Sequence, residues 1–478
     1  MTDASLPVAA ETESDPALNP VATPPAPQGR PFARRVVSVF SAKIVTFGIA
    51  FVTTLVVSRL LGPDGKGAFV GVTALPALVG TIGVFGLPNA INYFTAKNVS
   101  VRGLMLTSLM FVAVISVFVV ALLWVTLPFL EKSIFSVPIE RLGPGTGDQM
   151  LRLILITIPA GMLATFVGTI LYGRHEVKFY TAIMIGQAAV TLIALVLAVG
   201  VFRLGVEGAV GASVVVSCLG AAAVIVAVQR VAARTPGGDP VNLRSILGYG
   251  ARVYPASITG YFNYRADVFI IQWLMVASAA PAALGLYSMA VTMAEFVFYI
   301  PDAVTTIFMP TIAGSTADSA DAKLGRVSRM TFLVTVVGAL ALIPVAWLGI
   351  HLVLPKFNDC LPAFMVLLPA VVSLSLGKVM TSYISGRGRP GPISVGAAVT
   401  LALNLAANVI LIPRFGIVGA AAASLISYTA MSLMMVLVAC RVSGLSLADL
   451  VVPRKGELLT LVSVARAVIA KLRGKVSA

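Results

Sequence analysis

The middle of this chain, from about residue 36 to residue 442, is a succession of apolar runs of about 20 residues or more, the length that a helix needs to cross a bilayer. In hydrocarbon every backbone N–H and C=O must be paired within the protein, which leaves only helices and closed barrels. Continuous runs favour helices, because barrel strands alternate between apolar and polar residues over about ten positions. Charged residues make up only 11% of the sequence, too few to cover a water-facing globule. The sequence therefore predicts an all-α polytopic membrane protein.

The apolar runs predict twelve transmembrane helices. They lie at 36–61, 67–94, 103–130, 151–173, 177–202, 207–229, 245–276, 281–312, 328–353, 360–385, 391–413 and 416–440. With the N-terminus in the cytoplasm, the loops and ends on that side hold 22 Lys and Arg, against 8 on the opposite side. Because cytoplasmic loops carry an excess of Lys and Arg, this bias predicts that both termini are cytoplasmic.

The two halves of the chain are similar to each other at an offset of about 210 residues. The pattern Arg-x-Gly-[Val/Ile]-x-Gly-Ala begins at Arg203 and again at Arg414, so that Gly208 corresponds to Gly419. Because each half holds an even number of helices, both halves have the same orientation, and their pseudo-twofold axis runs along the membrane normal. The repeat predicts two pseudo-symmetric six-helix bundles with a substrate site between them.

We accordingly divide the chain into five regions. They are a disordered cytoplasmic tail (1–35), an N-terminal six-helix bundle (36–230), a cytoplasmic linker (231–244), a C-terminal six-helix bundle (245–442) and a cytoplasmic tail (443–478). The first 29 residues hold six Pro, four acidic residues and no basic residue, a composition typical of disorder. In the last tail, residues 457–475 place apolar side chains at helical spacing among basic ones, which is typical of an interfacial amphipathic helix or of a frayed tail.

Composition and motifs exclude several classes of function. The formal net charge of +15 fits basic loops beside anionic lipid, and the chain has no separate basic domain that would indicate a nucleic-acid partner. The three Cys and two His lack the spacing of a metal site or a disulfide framework. The sequence contains neither a Walker A loop nor a His-based catalytic arrangement, so we expect no ATP hydrolysis, no enzyme activity, no metal and no cofactor.

Four cations fall within the predicted spans, where an ionisable group costs at least about 2.5–3.5 kcal/mol and usually faces a cavity. They are Lys43, Arg252, Arg265 and Lys378. Lys43 shares a helix face with small and hydroxyl residues, although its long side chain also allows it to reach the membrane interface. These cations outnumber the anions Asp267, Glu295 and Asp302. We therefore predict a cationic cavity that binds an anionic substrate, with ion pairing between helices as the alternative.

Two features of the seventh and eighth spans concern these charges. Arg265 and Asp267 are two residues apart and point to different faces of one helix, so each requires a partner on another helix. In the eighth span, Glu295 and Asp302 share one face with hydroxyl residues. Carboxylates at that depth suit coupling to a proton or sodium ion, or an ion pair with a facing Arg, and both roles remain open at this point.

Other polar residues occur at helical spacing in the spans and are predicted to line the cavity. They are Asn89, Asn92, Asn263, Asp267, Asn404 and Asn408. Spans three, six, nine and twelve are almost free of polar residues in mid-membrane, so we expect them to face lipid.

Several short motifs resemble those of a known family. The string Arg59–Gly67 ends the first span, Asn263-x-Arg265-x-Asp267 lies in the seventh, and Gly386-x-Gly388-Arg389 follows the tenth. Asn404, Asn408 and the segment 411–421 complete the set. With these motifs, residues 36–442 resemble the polysaccharide-exporting branch of the multidrug/oligosaccharidyl-lipid/polysaccharide (MOP) exporter superfamily.

The resemblance implies a V-shaped transporter like the multidrug MATE proteins, in the bacterial cytoplasmic (inner) membrane. It implies a flippase that carries undecaprenyl-pyrophosphate-linked oligosaccharide repeat units to the outer leaflet by alternating access, for cell-surface polysaccharide synthesis. The implied partners are the lipid-linked oligosaccharide, the lipid bilayer, and a polysaccharide polymerase and co-polymerase. Relatives that flip the peptidoglycan precursor tend to have two further helices, which argues against that role. The alternative is a cation-coupled multidrug or small-molecule exporter of the same fold, and the sign of the cavity charge separates the two.

Overall fold

The computed structural model describes residues 30–96, 99–134, 146–174, 176–234, 237, 240, 243–275, 279–454 and 456–457. The described part of the chain consists of helices joined by short turns. The predicted disorder of residues 1–29 and the predicted amphipathic segment beyond residue 457 lie outside the described residues.

Fourteen α-helices follow one another along the described chain. They are α1 (Arg30–Gly83), α2 (Leu87–Ala96), α3 (Val101–Ile134), α4 (Thr146–Ile154), α5 (Thr157–Gly173), α6 (Val177–Leu195), α7 (Gly205–Arg234), α8 (Leu243–Leu274), α9 (Ala280–Glu295), α10 (Tyr299–Ala313), α11 (Ala317–Val353), α12 (Leu361–Gly386), α13 (Gly391–Ser443) and α14 (Leu447–Val451). A π-helical turn, Val196–Val201, extends α6, and the 3₁₀ turns Phe296–Phe298 and Pro355–Cys360 precede α10 and α12.

Nine helical stretches of the described chain are long and apolar enough to cross a membrane. Two of them, in α1 and α13, are too long for one crossing, because α13 alone has 53 residues and would extend about 80 Å if straight. Gly62 (φ 69°) and Gly416 (φ 56°) divide these helices at a sharp bend, in a left-handed conformation that Gly adopts without strain. The 32-residue α8, which is not one of the nine, supplies a further helix of sufficient length. The resulting segments agree with the twelve that the sequence predicts.

Large apolar side chains at the surface are most numerous on α3, α11 and the part of α13 before Gly416. The first two correspond to spans three and nine, which we expected to face lipid, whereas span eleven was expected to line the cavity, and spans six and twelve carry fewer such side chains. Val117 and Val125 on α3 are 72% and 77% exposed, and Leu352 on α11 is 70% exposed. On a water-soluble protein such continuous apolar surfaces would cause association, whereas in a membrane they are covered by lipid. The chain is therefore a multi-pass α-helical membrane protein.

The repeat seen in the sequence corresponds to a repeated turn in the structure. Gly205 (φ 61°) and Gly416 (φ 56°) occupy matching places in the two Arg-x-Gly motifs. Three residues later, a Cβ on Gly208 would lie 3.2 Å from the carbonyl oxygen of Ala198, and one on Gly419 would lie 2.2 Å from that of Leu411. In both halves, the second Gly therefore allows the new helix to pack closely against the helix that it has just left.

Most buried apolar clusters lie within one half, although Ile246 of α8 belongs to a cluster of the N-terminal half. Three clusters of the described residues fall between Val57 and Ile246, and two fall between Ala266 and Leu450. The halves meet most closely at the end of the molecule that holds Gly62 and Gly416, which we call the elbow end. The opposite end, where α2 contacts α8 and most basic loops lie, is called the basic end.

At the elbow end the two halves are in backbone contact, at a place that we call the elbow crossing. A Cβ on Gly67 would lie 1.6 Å from the carbonyl oxygen of Pro281, and one on Gly285 would lie 2.0 Å from that of Pro63. The contact is reciprocal, since each half contributes a Pro and a Gly four residues later. Small residues at such spacing allow helices in membranes to approach closely.

A short segment after the last span folds back on α11 at the basic end, and we call this contact the C-terminal clip. Ser328 donates to the carbonyl oxygen of Leu450 at 2.7 Å, and Arg329 forms an ion pair with Glu457 at 2.7 Å. Both charged side chains are nearly buried, at 6% and 12% exposure. Hydrogen bonding to the Arg329 guanidinium lowers the pKa of the Glu457 carboxyl below its usual range.

Candidate functional site

A polar cavity of about 210 Å³ lies between the two halves, on the side of the elbow crossing, and we call it the central cavity. The C-terminal half contributes Arg265 and Asp267 from α8 and hydroxyl side chains from α9. The N-terminal half contributes Lys66, Thr53 and Thr54 from α1. Charged and hydroxyl groups from both halves therefore meet at one place, as expected for a substrate site between two repeats.

Arg265 and Asp267 have separate partners, both on the polypeptide that follows α8. The Arg265 guanidinium lies 3.9 Å from the Glu295 carboxylate, and the Arg265 side chain is still 47% exposed. Asp267 is buried, accepts a hydrogen bond from the Tyr287 hydroxyl, and accepts another from the backbone N–H of Val268 at 2.9 Å. Asp267 is thus fixed in place, whereas Arg265 retains donors that can reach a ligand.

Lys66 is the charged residue of the central cavity that the sequence analysis did not select. It is only 5% exposed, and its ammonium group donates to the Ser58 hydroxyl at 2.8 Å. Its position between two apolar runs, close to Gly62, predicts an exposed loop residue. The sequence pattern therefore gives no indication that it is buried. The useful signal is Pro63, because a Pro that starts a helix places Lys66 within the first turn and not in a loop.

A second, larger cavity of about 480 Å³ lies within the C-terminal half, between α8, α10, α12 and α13. Its lining includes the ion pair between Lys378 and Asp302, with a separation of 2.7 Å. The Lys378 ammonium group also lies 4.1 Å from the ring centroid of Phe298. Asn263 borders the same cavity and donates to the carbonyl oxygens of Thr259 and Ala397, both at 3.0 Å.

The structure places other predicted lining residues away from these two cavities. Asn404 is buried and donates to Ser427 at 3.0 Å, and Asn408 is buried and donates to Asn404 at 2.9 Å. They join the two arms of α13, because a four-residue spacing also matches the face that meets a neighbouring helix. Asn92 packs against Gly173 within the N-terminal half, and Asn89 is exposed.

Two of the four predicted cations cannot be placed in the same way. Lys43 lies in α1 and Arg252 lies in α8, but both side chains are outside the described residues. The other two, Arg265 and Lys378, each have a carboxylate partner. Ion pairing between helices, the alternative considered from the sequence, is therefore present at both described positions.

Aromatic side chains fill the two seams where the halves meet along the membrane. In one seam the Phe47 and Tyr299 ring centroids are 4.0 Å apart, and Phe51 contacts Phe296. In the other seam, towards the basic end, Tyr254 packs against Phe85, in the turn between α1 and α2, and donates to the carbonyl oxygen of Ile82 at 2.8 Å. Aromatic rings from both halves are thus in contact along each of the two seams.

Comparison with known proteins identifies the family of the chain. The family model for polysaccharide biosynthesis proteins matches residues 32–314, more than half of the sequence. The chain belongs to this family. No curated protein sequence matches it.

Solved structures of MOP superfamily proteins are similar to the chain throughout its membrane part. An inward-closed lipid II flippase, MurJ, has a TM-score of 0.69 at 11% identity, covering 86% of this chain and 90% of its own. An inward-facing multidrug resistance MATE transporter has a TM-score of 0.65 at 14% identity, covering 86% and 98%. A MOP transporter from Pyrococcus furiosus, described by the reverse polarity of its binding pocket, has a TM-score of 0.56 at 13% identity, covering 86% and 96%. The family member described here therefore has the fold of a MOP transporter.

The family match and the fold neighbours support a membrane transporter or flippase. The described polar groups around the central cavity come from both halves of the chain. This arrangement can hold a polar or charged group between the two halves, which are in contact at both ends of the molecule.

Proposed function

We propose that the protein flips an undecaprenyl-pyrophosphate-linked oligosaccharide across the bacterial cytoplasmic membrane for cell-surface polysaccharide synthesis. The observation that carries the proposal is that Arg265 and Lys66 line one cavity between the two halves of a polysaccharide biosynthesis protein. A guanidinium and an ammonium group are the usual protein donors to phosphate oxygens. Sugar hydroxyls would find partners in the Thr and Ser residues of the same cavity.

The direction of transport follows from the charge count in the sequence. The basic end holds most of the loop Lys and Arg, so we place it and both termini in the cytoplasm. The elbow end then faces outward. A head group would enter through the basic end, while the polyprenyl chain stays in lipid along one of the aromatic seams. Closure of the basic end and opening of the elbow crossing would release it outside. A polymerase and a co-polymerase would be its partners there.

The test is binding of a pyrophosphate-linked polyprenyl oligosaccharide to the purified protein in lipid nanodiscs. We expect Arg265→Gln to weaken binding about tenfold or more, the effect of losing one hydrogen bond to a charged group. Because Arg265→Gln also leaves Glu295 without its partner, the double variant with Glu295→Gln is needed. It should bind as weakly as Arg265→Gln, while Glu295→Gln alone should bind like the wild type. Arg414→Ala, which removes an exposed Arg outside both cavities, is the matched control.

A second candidate is a cation-coupled exporter of cationic small molecules. The observation in its favour is that the described cations of the two cavities are matched in number by Asp267, Glu295 and Asp302. Export of a cationic dye from proteoliposomes, together with wild-type binding by both Arg265 variants, would support this candidate against the flippase.

A further inference from the structure

Lys66 is a buried cation whose described partners do not neutralise it. Its ammonium group contacts the Ser58 hydroxyl at 2.8 Å and the Met289 sulfur at 3.6 Å, and it lies 5.9 Å from the ring centroid of Phe357. None of the described carboxylates lies within ion-pair distance of it. This contrasts with Arg265 and Lys378, each of which has an acidic partner.

A buried cation without an anionic partner raises the free energy of the folded protein. A hydroxyl and a thioether do not replace the hydration of an ammonium ion, and intramembrane cations usually face a substrate path. Lys66 lines the central cavity, so its ammonium group has access to whatever occupies that space. A phosphate there would be its first anionic partner.

The position of Lys66 in the fold adds a second observation. The next residue, Gly67, forms the elbow crossing with Pro281 and Gly285. Lys66 is therefore next in sequence to a residue of the elbow crossing. The backbones at this crossing must separate before a substrate can leave at the elbow end. Arg265 lines the same cavity from the other half, so each half contributes one cation to the central cavity.

We propose that Lys66 is a second anion-binding group, which takes the pyrophosphate at the elbow end and thereby stabilises the state in which the elbow crossing is open. This inference rests on the proposed function. It makes opening depend on the presence of substrate, because an anion in contact with Lys66 favours the state in which the cavity is enlarged and hydrated. Without a bound substrate, the Lys66 ammonium group would remain unhydrated and the elbow crossing would remain closed.

A purely structural role would be different. The hydrogen bond from Lys66 to Ser58 joins the two arms of α1 across Gly62 and could serve only to hold the bend. Ser58→Ala removes that hydrogen bond but keeps the cation. Lys66→Met removes the cation but keeps an unbranched side chain of similar length in an apolar setting, so we expect it to fold. Lys66→Arg keeps the charge.

The experiment measures flipping of the pyrophosphate-linked polyprenyl oligosaccharide in proteoliposomes. We expect Lys66→Met to lower the rate about tenfold or more, as for loss of one charge-assisted contact, with Ser58→Ala near the wild type and Lys66→Arg in between. Equal losses of flipping rate in Ser58→Ala and Lys66→Met would mean that Lys66 only stabilises the bend of α1. Wild-type flipping by Lys66→Met would remove any role for it.

A second measurement separates this inference from the proposed function. Inorganic pyrophosphate should raise the thermal stability of the wild-type protein and of Ser58→Ala, but not that of Lys66→Met, because a ligand stabilises the state that binds it. If the wild type flips no lipid-linked sugar but shows this pattern, the anion site stands and the proposed substrate is wrong. If the wild type flips the substrate and Lys66→Met responds to pyrophosphate as the wild type does, only the role of Lys66 is overturned. If the wild type neither flips nor responds, both proposals are refuted.

Discussion

The elbow crossing should decide which way the protein opens, and Gly67→Ala tests this directly. A Cβ at this position would lie 1.6 Å from the carbonyl oxygen of Pro281 and 2.8 Å from the backbone nitrogen of Gly285. Real Cβ atoms essentially never approach closer than 3.0 Å, so the two backbones must separate by at least 1.4 Å, the difference between 3.0 and 1.6 Å. No side chain can rotate to provide this space, because the obstacle is backbone on both sides.

Overpacking of this kind typically costs about 1–3 kcal/mol, and here the cost falls only on states in which the crossing is closed. The equilibrium should therefore shift towards an open elbow end by a factor of about 5–150. Cys360 reports the change, because it is fully buried at the same end, where the turn Pro355–Cys360 packs against α1 and α9. With the other two Cys replaced by Ser, the labelling rate of Cys360 by a maleimide in nanodiscs should rise by the same factor.

Gly80→Ala is the matched control, since it lies in the same helix and a Cβ there would have no neighbour within 4 Å. It should label like the wild type. If Gly67→Ala folds and its Cys360 reacts no faster than in Gly80→Ala, the elbow crossing does not close this end of the molecule.

Three further predictions concern the charged pairs. If Lys378 acts only through its ion pair, Lys378→Met should abolish export and the double variant with Asp302→Asn should restore it, since removing both members of a pair avoids an uncompensated charge; a double variant as inactive as the single one would assign Lys378 to the substrate. If a proton or sodium gradient drives flipping, Glu295→Gln should make flipping insensitive to that gradient, and a variant that still responds to it would exclude Glu295 from coupling. The C-terminal clip should be protected from hydrogen exchange above about pH 4.3, the ordinary pKa of Glu, and should lose protection as pH falls through the lowered pKa of Glu457, because a carboxyl with a depressed pKa stabilises the fold only while ionised. Glu457→Gln should expose the clip at neutral pH, whereas Glu207→Gln, at an exposed position, should not; unchanged protection in Glu457→Gln would mean that the ion pair with Arg329 does not hold the clip.

Much of the fold could be predicted from the sequence, because the bilayer allows few backbone structures. A run of apolar residues long enough to cross has to be a helix, and the polar turn residues between runs divide one crossing from the next. The Arg-x-Gly repeat could also be recognised, since Gly205 and Gly416 are required by a left-handed turn that few other residues adopt.

The candidate site was harder to predict, since hydropathy gives the depth of a residue but not the helix that it faces. Asn404 and Asn408 have the spacing of a polar stripe, but the stripe faces the second arm of the same helix. Lys66 has the position of a loop residue, but Pro63 starts a helix that carries it into the protein. Tyr287 could not be selected from the sequence, because a Tyr in an apolar run is typical of a packing residue. In the structure it is the hydrogen-bond donor that the buried Asp267 requires. Partners of this kind become visible only when helices are placed side by side.

The polar character of α8 has a consequence for how the protein is made. This helix is not among the nine described stretches with the hydropathy of a span, yet it has the length of one. Both of its inward charges find partners on the polypeptide that follows, Asp267 with Tyr287 and Arg265 with Glu295. During synthesis α8 emerges before α9, at a moment when its charges would face lipid alone. We therefore expect α8 to enter the bilayer together with α9, as a helical hairpin in which these charges are already paired.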